Sequence, residues 1–283
     1  MVLRERVFID DELEKEFDQK GFLVLDFLDT SEIEKLSKKV EELKPADNFN
    51  GQQDTLINLQ SFHCTFFDRN QEYKNQVFDL LDEVYKGVLE NVLNHYKTIQ
   101  ANIFLKPPRT GEVSPHQNLT IVDERQYTSV SLWCPLVDVD ESNGALLIVP
   151  GSHRKFAKYR NTTILWPMLD FFRSEEGIKY FESINMKAGQ LLILDDSIIH
   201  ASPVNTTDHK RPVLHVMAGP QAAHPIFCEL ERNEIRIHEV KERFWQNHIP
   251  GNFPDFNESN IIAILPYDDV SLSEEEFLKE LER

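Results

Sequence analysis

Gly189-Gln190-Leu191-Leu192-Ile193-Leu194-Asp195-Asp196-Ser197-Ile198-Ile199-His200-Ala201-Ser202-Pro203, running on to Arg211, is the stretch that decides how this chain folds. A glycine turn opens an apolar strand, Leu191 to Leu194. Asp195, Asp196 and Ser197 break that strand and shape a turn. His200 then sits just before the small-residue corner Ala201-Ser202-Pro203. Arg211 follows eleven residues after His200, where a returning strand would start. An imidazole and a guanidinium at neighbouring strand ends can hold a metal ion and a small dicarboxylate side by side. The other ligands have to come from elsewhere in the chain.

Working outward, short strands are predicted on both sides of this stretch. Upstream, Ile99 to Leu105 alternates, with Ile103 and Leu105 on one face and Gln100, Asn102 and Phe104 on the other. Val130 to Val137 reads as a strand, Asp138 to Gly144 as a turn and Ala145 to Val149 as a strand. Pro150-Gly151-Ser152-His153 is a sharp corner, and Asn161 to Phe181 is a long insert containing Trp166 and Phe171-Phe172. Downstream, Pro212 to Ala218, Ile226 to Leu230 and Glu234 to Val240 are further strands. Ahead of all these lie three helical patterns. Asp11 to Lys20 stops at Gly21, where the strand Phe22 to Leu25 begins. A second helix opens at Asp29-Thr30-Ser31, with Ser31 and Glu34 fitting a capping box. The third runs from Gln71 to Tyr96 and presents Val77, Leu80, Leu81, Val84, Val88, Val92 and Leu93. Asp47 to Leu59 reads as a loop, and Ser271 to Arg283 as one surface helix. Short strands after a helical block predict a β-sandwich or jelly roll with helices packed outside. One domain is expected over 1–283: a helical part at 1–97, the β core at 98–240 and an extension at 241–283.

The 283 residues carry a net charge of -18, which argues against nucleic acid and anionic membranes as partners. The three cysteines, Cys64, Cys134 and Cys228, are scattered without a CxxC pair. That argues against a thiolate zinc site and suits reduced thiols in a cytosol. Met1 to Arg6 lacks a signal-peptide apolar core, and no run approaches the roughly 18 apolar residues of a membrane helix. A cytoplasmic protein is expected.

The candidate ligands sit in Ser114-Pro115-His116-Gln117-Asn118-Leu119. On a strand, His116 and Asn118 share a face. Joined by His200, they make two histidines and one oxygen donor, the facial arrangement of non-haem Fe(II) oxygenases. Here the chain resembles the phytanoyl-CoA dioxygenase family of Fe(II)/2-oxoglutarate-dependent oxygenases, from about Glu16 to Gly219. The resemblance rests on Gly21-Phe22-Leu23-Val24-Leu25, Pro115-His116-Gln117, Asn143-Gly144-Ala145 and Pro150-Gly151-Ser152-His153. It continues in Gly189-Gln190, His200-Ala201-Ser202 and Arg211. It implies a double-stranded β-helix (jelly roll, cupin-like). It implies iron held by His116, His200 and the position of Asn118. It also implies 2-oxoglutarate gripped by Arg211 and Ser202, with Asn102 and Trp133 lining its pocket, and O2 as a further reactant.

The family has aspartate where this chain has Asn118. Four readings stay open there: coordination through the carboxamide oxygen, replacement by Asp123 or Glu124, a position left to water or a halide as in related halogenases, and a degraded iron site. The expected activity is hydroxylation of a small, partly apolar substrate with oxidative decarboxylation of 2-oxoglutarate to succinate. Asn48 to Arg69 and the insert Asn161 to Phe181 are the expected substrate walls, with Phe62, Phe66, Phe67, Trp166 and Phe171 as their apolar part. The rival class is a non-catalytic small-molecule-binding jelly roll. A third is a metal-dependent isomerase or hydrolase, which has no need of Arg211. His153 reads as part of the corner or as a substrate contact, and His215 lies near enough to Arg211 to face the pocket.

Overall fold

The computed structural model describes residues 5–51, 61–156, 159–161, 168–252, 254–256, 258–267 and 273–281. Helix α1 (Asp11–Lys20) starts where the Asp10 carboxylate accepts from the Glu12 and Leu13 amides. It ends at Gly21, whose φ of 80° only glycine adopts cheaply. A Cβ at Gly21 would also overlap the His153 ring. Helix α2 (Thr30–Glu42) has its capping box two residues earlier than the sequence pattern predicts: Asp29 and Glu32 form it. The Asp29 carboxylate outcompetes the Ser31 hydroxyl, which donates to Asp29 at 2.8 Å instead. Helix α3 (Gln71–Asn91) stops short of the predicted Tyr96. Asn94 leaves it to bond the Val7 carbonyl, and His95 turns the chain with a φ of 58°.

The strands are β1 (Phe22–Asp26), β2 (His63–Cys64), β3 (Tyr96–Lys106), β4 (Val113–His116), β5 (Val130–Pro135), β6 (Leu146–Ile148) and β7 (Glu182–Ile184). They continue as β8 (Gln190–Asp195), β9 (His200–Ser202), β10 (Arg211–Pro220), β11 (Ile226–Glu231), β12 (Glu234–Glu239) and β13 (Ile261–Pro266). A six-stranded sheet has the order β1-β8-β5-β10-β3-β2, and a four-stranded sheet the order β4-β9-β6-β7. A third sheet, β11-β12-β13, adds a strand that the sequence pattern did not reveal. The first two sheets line opposite sides of one cavity, as in a jelly roll, and neither closes into a barrel.

The six-stranded sheet uses its two faces differently. Ala101, Ile103, Leu132, Cys134, Leu191, Ile193, Leu214 and Val216 face outward into one cluster with Val77, Leu81 and Tyr85 of α3. Each fully buried aliphatic side chain there contributes about 1.5–3 kcal/mol, so this layer holds the helices to the sheet. The alternate positions face inward and include Gln100, Asn102, Lys106, Ser131, Arg211 and His215. Buried polar side chains cost stability unless hydrogen-bonded, so the inner face is shaped for something other than packing.

The C-terminal helix, Glu274–Leu281, is more firmly tied than a surface helix. Phe277 is fully buried, stacks on Phe156 and packs at tilted or edge angles against Phe171, Phe172 and Tyr180. Phe171 therefore belongs to this cluster and is not a substrate wall. Trp166 lies outside the described residues.

Candidate active site

The cavity between the sheets has a volume of about 340 Å³. Strand register assembles it. His116 lies opposite His200 across β4 and β9. Arg211 lies opposite Lys106, and His215 opposite both Asn102 and Trp133. His116, Asn118, His200, Ser202, Arg211, Asn102 and Trp133 all line the cavity.

At one pole the His116 and His200 rings are 4.2 Å apart, centre to centre. His116 Nδ1 bonds the Ser114 carbonyl at 2.9 Å, and His200 Nδ1 the Ile198 carbonyl at 3.0 Å. A carbonyl can only accept, so each Nδ1 carries the proton and each Nε2 keeps its lone pair. Burial holds both rings below the usual imidazole range, His200 well below it. Two neutral imidazoles with free Nε2 atoms are the form in which histidine binds a metal. Asn118, two residues past the end of β4, completes this pole. Its carboxamide nitrogen donates to Asp196 Oδ1 and to Ser131 Oγ, both at 2.9 Å. Its backbone amide donates to the Asp196 carbonyl at 2.9 Å.

At the other pole Arg211 is 3% exposed and donates from one terminal nitrogen to the Gly144 carbonyl at 3.0 Å. Its Nε has no partner, and no carboxylate pairs with it among the described residues. Burial alone pulls the guanidinium down to about 9. The Trp133 ring lies 5.3 Å from its head. Lys106 donates to Ser202 Oγ and the Pro203 carbonyl, both at 2.6 Å. Burial first, then the Arg211 charge, lowers the Lys106 ammonium to about 6. The Ser202 hydroxyl donates to the Gly144 carbonyl at 2.7 Å. Gly144 has a φ of 85°, and a Cβ there would lie 2.6 Å from the Pro203 carbonyl and 2.9 Å from Lys106 Nζ. Glycine is thus required where the chain packs against Lys106 and offers its carbonyl to Arg211.

A buried chain of hydrogen bonds, all donating in one direction, leads to Asp196. The Cys64 thiol faces Asn102 Oδ1 at 3.9 Å, and Asn102 Nδ2 donates to His215 Nδ1 at 3.3 Å. His215 Nε2 donates to Ser131 Oγ at 3.0 Å, and Ser131 donates to Asp196 Oδ1 at 2.6 Å. Burial lowers His215 to about 3 and raises the Cys64 thiol to about 12, so both stay neutral. Burial also raises the Asp196 carboxyl to about 7, against the bonds from Ser131 and Asn118 that lower it. The remaining wall is apolar: Phe62, Phe66, Phe67, Phe104, Leu119 and Met217.

Several expected residues lie elsewhere. Glu124 is held by Arg160 at 2.5 and 2.8 Å, and Asp123 by Arg125 and Tyr159. Neither lines the cavity, so neither stands in for the family's aspartate. Asp195 shapes the turn as expected, accepting from the Ser197 amide and hydroxyl. Asp196, read as its twin in the turn, reaches Asn118 instead. His153 packs on Gly21 and faces the Asp18 carbonyl, away from the cavity. All three cysteines are buried and unpaired. Among the described residues no helix is long and apolar enough to cross a membrane.

The sequence matches the phytanoyl-CoA dioxygenase (PhyH) family over residues 17–213. The chain belongs to this family. Its PhyH relatives include a phytanoyl-CoA dioxygenase domain-containing protein 1 from Danio rerio, 32% identical over 125 residues. A phytanoyl-CoA dioxygenase from Arabidopsis thaliana is 33% identical over 128 residues. Each match covers 41% of this chain and 42% of the relative, so it spans about two fifths of their length. Among solved structures, the fold is similar to that of HygX from Streptomyces hygroscopicus, crystallised with nickel, 2-oxoglutarate and hygromycin B. The TM-score is 0.52 at 15% identity, covering 76% of this chain and 88% of that one. EvdO2 from Micromonospora carbonacea var. aurantiaca, complexed with 2-oxoglutarate, gives 0.54 at 19% identity, covering 81% and 98%. At these identities the likeness establishes the fold and leaves the site to be argued from its own residues.

Lys106, Ser131 and Asp196 are site residues that the sequence reading did not single out. Lys106 continues the face of Gln100, Asn102 and Phe104, and Ser131 shares a face with Trp133, so period-2 counting could have found both. Nothing local marks Asp196, whose partner Asn118 lies 78 residues away.

Proposed function

We propose that this PhyH-family chain is an Fe(II)/2-oxoglutarate-dependent dioxygenase that hydroxylates a small, partly apolar organic substrate. The observation that carries the reading is Arg211. A buried guanidinium without an anion is costly, and this one shares a cavity with two histidines whose Nε2 atoms are free. A dicarboxylate such as 2-oxoglutarate would satisfy Arg211 at one end and chelate a metal at the other. His116 and His200 would hold the metal, with Asn118 as the candidate third protein ligand. Iron with 2-oxoglutarate supplies O2 activation: substrate C–H, O2 and 2-oxoglutarate become C–OH, succinate and CO2.

The protein's part is orientation and exclusion of water. The Ser114 and Ile198 carbonyls fix both imidazoles by their Nδ1 protons. Arg211 and Ser202, both anchored on the Gly144 carbonyl, would seat the distal carboxylate. Trp133 closes the side of that pocket. Phe62, Phe66 and Phe67 form an apolar wall for substrate. The reading is tested by adding Fe(II) and 2-oxoglutarate anaerobically to the purified protein. A weak visible charge-transfer band and a higher melting temperature are expected, followed in air by substrate-dependent succinate release. No band and no thermal shift would sink it. A band without succinate release across a broad substrate panel would favour the binding-protein reading that Asn118 invites.

A further inference from the structure

We propose that Asp196 is a positioning residue for the metal site, and that Asn118 and Asp196 together do what one carboxylate ligand does elsewhere in the family. Asn118 would supply the ligating oxygen, and Asp196 the buried acceptor that holds and polarises it, one hydrogen bond behind it. The inference rests on the metal-binding reading above and extends it to a residue outside the cavity wall.

Three observations carry it. First, the Asn118 carboxamide nitrogen donates to the adjacent pair Asp196 Oδ1 and Ser131 Oγ, each at 2.9 Å, so its nitrogen end is turned to them. The carboxamide oxygen is the atom left for the cavity, which Asn118 lines. Carboxamide O and N are told apart by their partners, and here the partners leave one choice. Second, Asp196 is fully buried, and its Oδ2 has no partner among the described residues. A carboxyl group is an expensive thing to bury half-satisfied. A purely structural brace for Asn118 would be met by a neutral acceptor, as Ser131 already shows. Third, the donor chain from Cys64 through Asn102, His215 and Ser131 terminates on Asp196 Oδ1. Side chains from β2, β3, β5 and β10 thereby position that oxygen against Asn118.

The chemistry follows from the hydrogen bond. Donating N–H to a carboxylate draws electron density toward the carboxamide oxygen, which makes a weak neutral ligand a stronger one. Partners placed behind a ligand in this way typically carry 10- to 100-fold in metal affinity. His116 and His200 have the equivalent support from the Ser114 and Ile198 carbonyls. Asn118 has it from Asp196.

The test uses Co(II) titration of the full chain, read by visible absorption and calorimetry without 2-oxoglutarate, beside the melting temperature of the metal-free protein. Wild type should bind Co(II), and His200→Ala should abolish binding. Asp196→Asn, which keeps the shape and loses the carboxylate, should bind roughly 10- to 100-fold more weakly. The exchange Asn118→Asp with Asp196→Asn should return affinity to within a few-fold of wild type, with a shifted Co(II) spectrum because the ligand is then a carboxylate. Wild-type affinity in Asp196→Asn, or an exchanged protein as weak as Asp196→Asn, overturns the role of Asp196 and leaves the metal site standing. If Asp196→Asn does not fold, the exchanged protein decides alone: binding as wild type supports the pairing, and weak binding overturns it. Wild type that takes up no Co(II) overturns the metal site and this inference together.

Discussion

Among the described residues, one group of metal-ligating side chains gathers at His63 and another at His116 and His200, and only the second is built to receive a ligand. In β2, His63 sits with Asp47 and Asp68, and among the described residues these three are the group whose ligand atoms lie close enough for a metal, within 4.8 Å. Its atoms are already used. His63 Nδ1 faces Asp47 at 2.8 Å and Nε2 faces the Tyr73 hydroxyl at 2.8 Å. Asp68 accepts from the Ala46 and Asn70 amides. In the cavity, His116 and His200 have no acid beside them among the described residues, but each keeps one nitrogen without a described partner. Residue type nominates the first cluster, and hydrogen-bond accounting selects the second. A metal site is recognised by what its donors have not yet been spent on.

The sharpest way to break that comparison is to delete one ring from each cluster. His200→Ala should cost at least about 100-fold in Co(II) affinity while changing the melting temperature of the metal-free protein little. His63→Ala should leave Co(II) affinity near wild type and lose about 3 kcal/mol in denaturant unfolding, because Asp47 and Tyr73 lose a buried partner. Equal metal loss in both variants would mean the clusters have been told apart wrongly. Next in size, Arg211→Gln should weaken 2-oxoglutarate binding roughly 100-fold, measured as loss of its thermal stabilisation. The ligand-free variant should be no less stable than wild type, since an uncompensated buried charge has been removed. A large fall in its melting temperature would mean that Arg211 braces the fold instead.

A smaller effect is expected from pH. Burial lowers His215 to about 3 and His248 to about 4, from a free value of 6.5. Above pH 6.5 these rings are neutral whether folded or not, and they cost nothing. Below it the unfolded chain takes up protons that the folded chain excludes, about 1.4 kcal/mol per proton per pH unit. Stability should therefore fall as pH drops from 6.5 toward 4, and His215→Asn should flatten the slope. An unchanged slope would show that His215 is protonated in the folded protein. Smallest of all, Asp123→Asn should leave Co(II) affinity within about two-fold, since Arg125 and Tyr159 hold Asp123 away from the cavity. A ten-fold loss there would put an acid of that loop back among the candidate ligands.

Periodicity carried far along β3 because burial on both faces of the sheet imposes alternation. Ala101 and Ile103 go out to the helices, while Gln100, Asn102 and Phe104 go in to the cavity. It failed at the end of α3 and missed β13, because helix ends and edge strands are decided by what they meet. Asn94 meets the Val7 carbonyl, and β13 is paired on β12 alone. Phe171 was misread for a related reason: an aromatic residue in an insert does not reveal whether substrate or Phe277 covers it.

By itself the sequence determined the order and type of most elements, the family, and the four side chains His116, His200, Ser202 and Arg211 that the cavity brings together. The resemblance to the family pointed to these four, and alternation along β9 puts His200 and Ser202 on one face. Only the tertiary structure decided which atoms are free. Among the described residues it left Nε2 of both histidines and Nε of Arg211 open, and it paired His63, Glu124 and Asp123. It also carried Asp196 across 78 positions to the back of Asn118. Hydrogen-bond satisfaction is a property of neighbours in space, and no pattern along the chain records it.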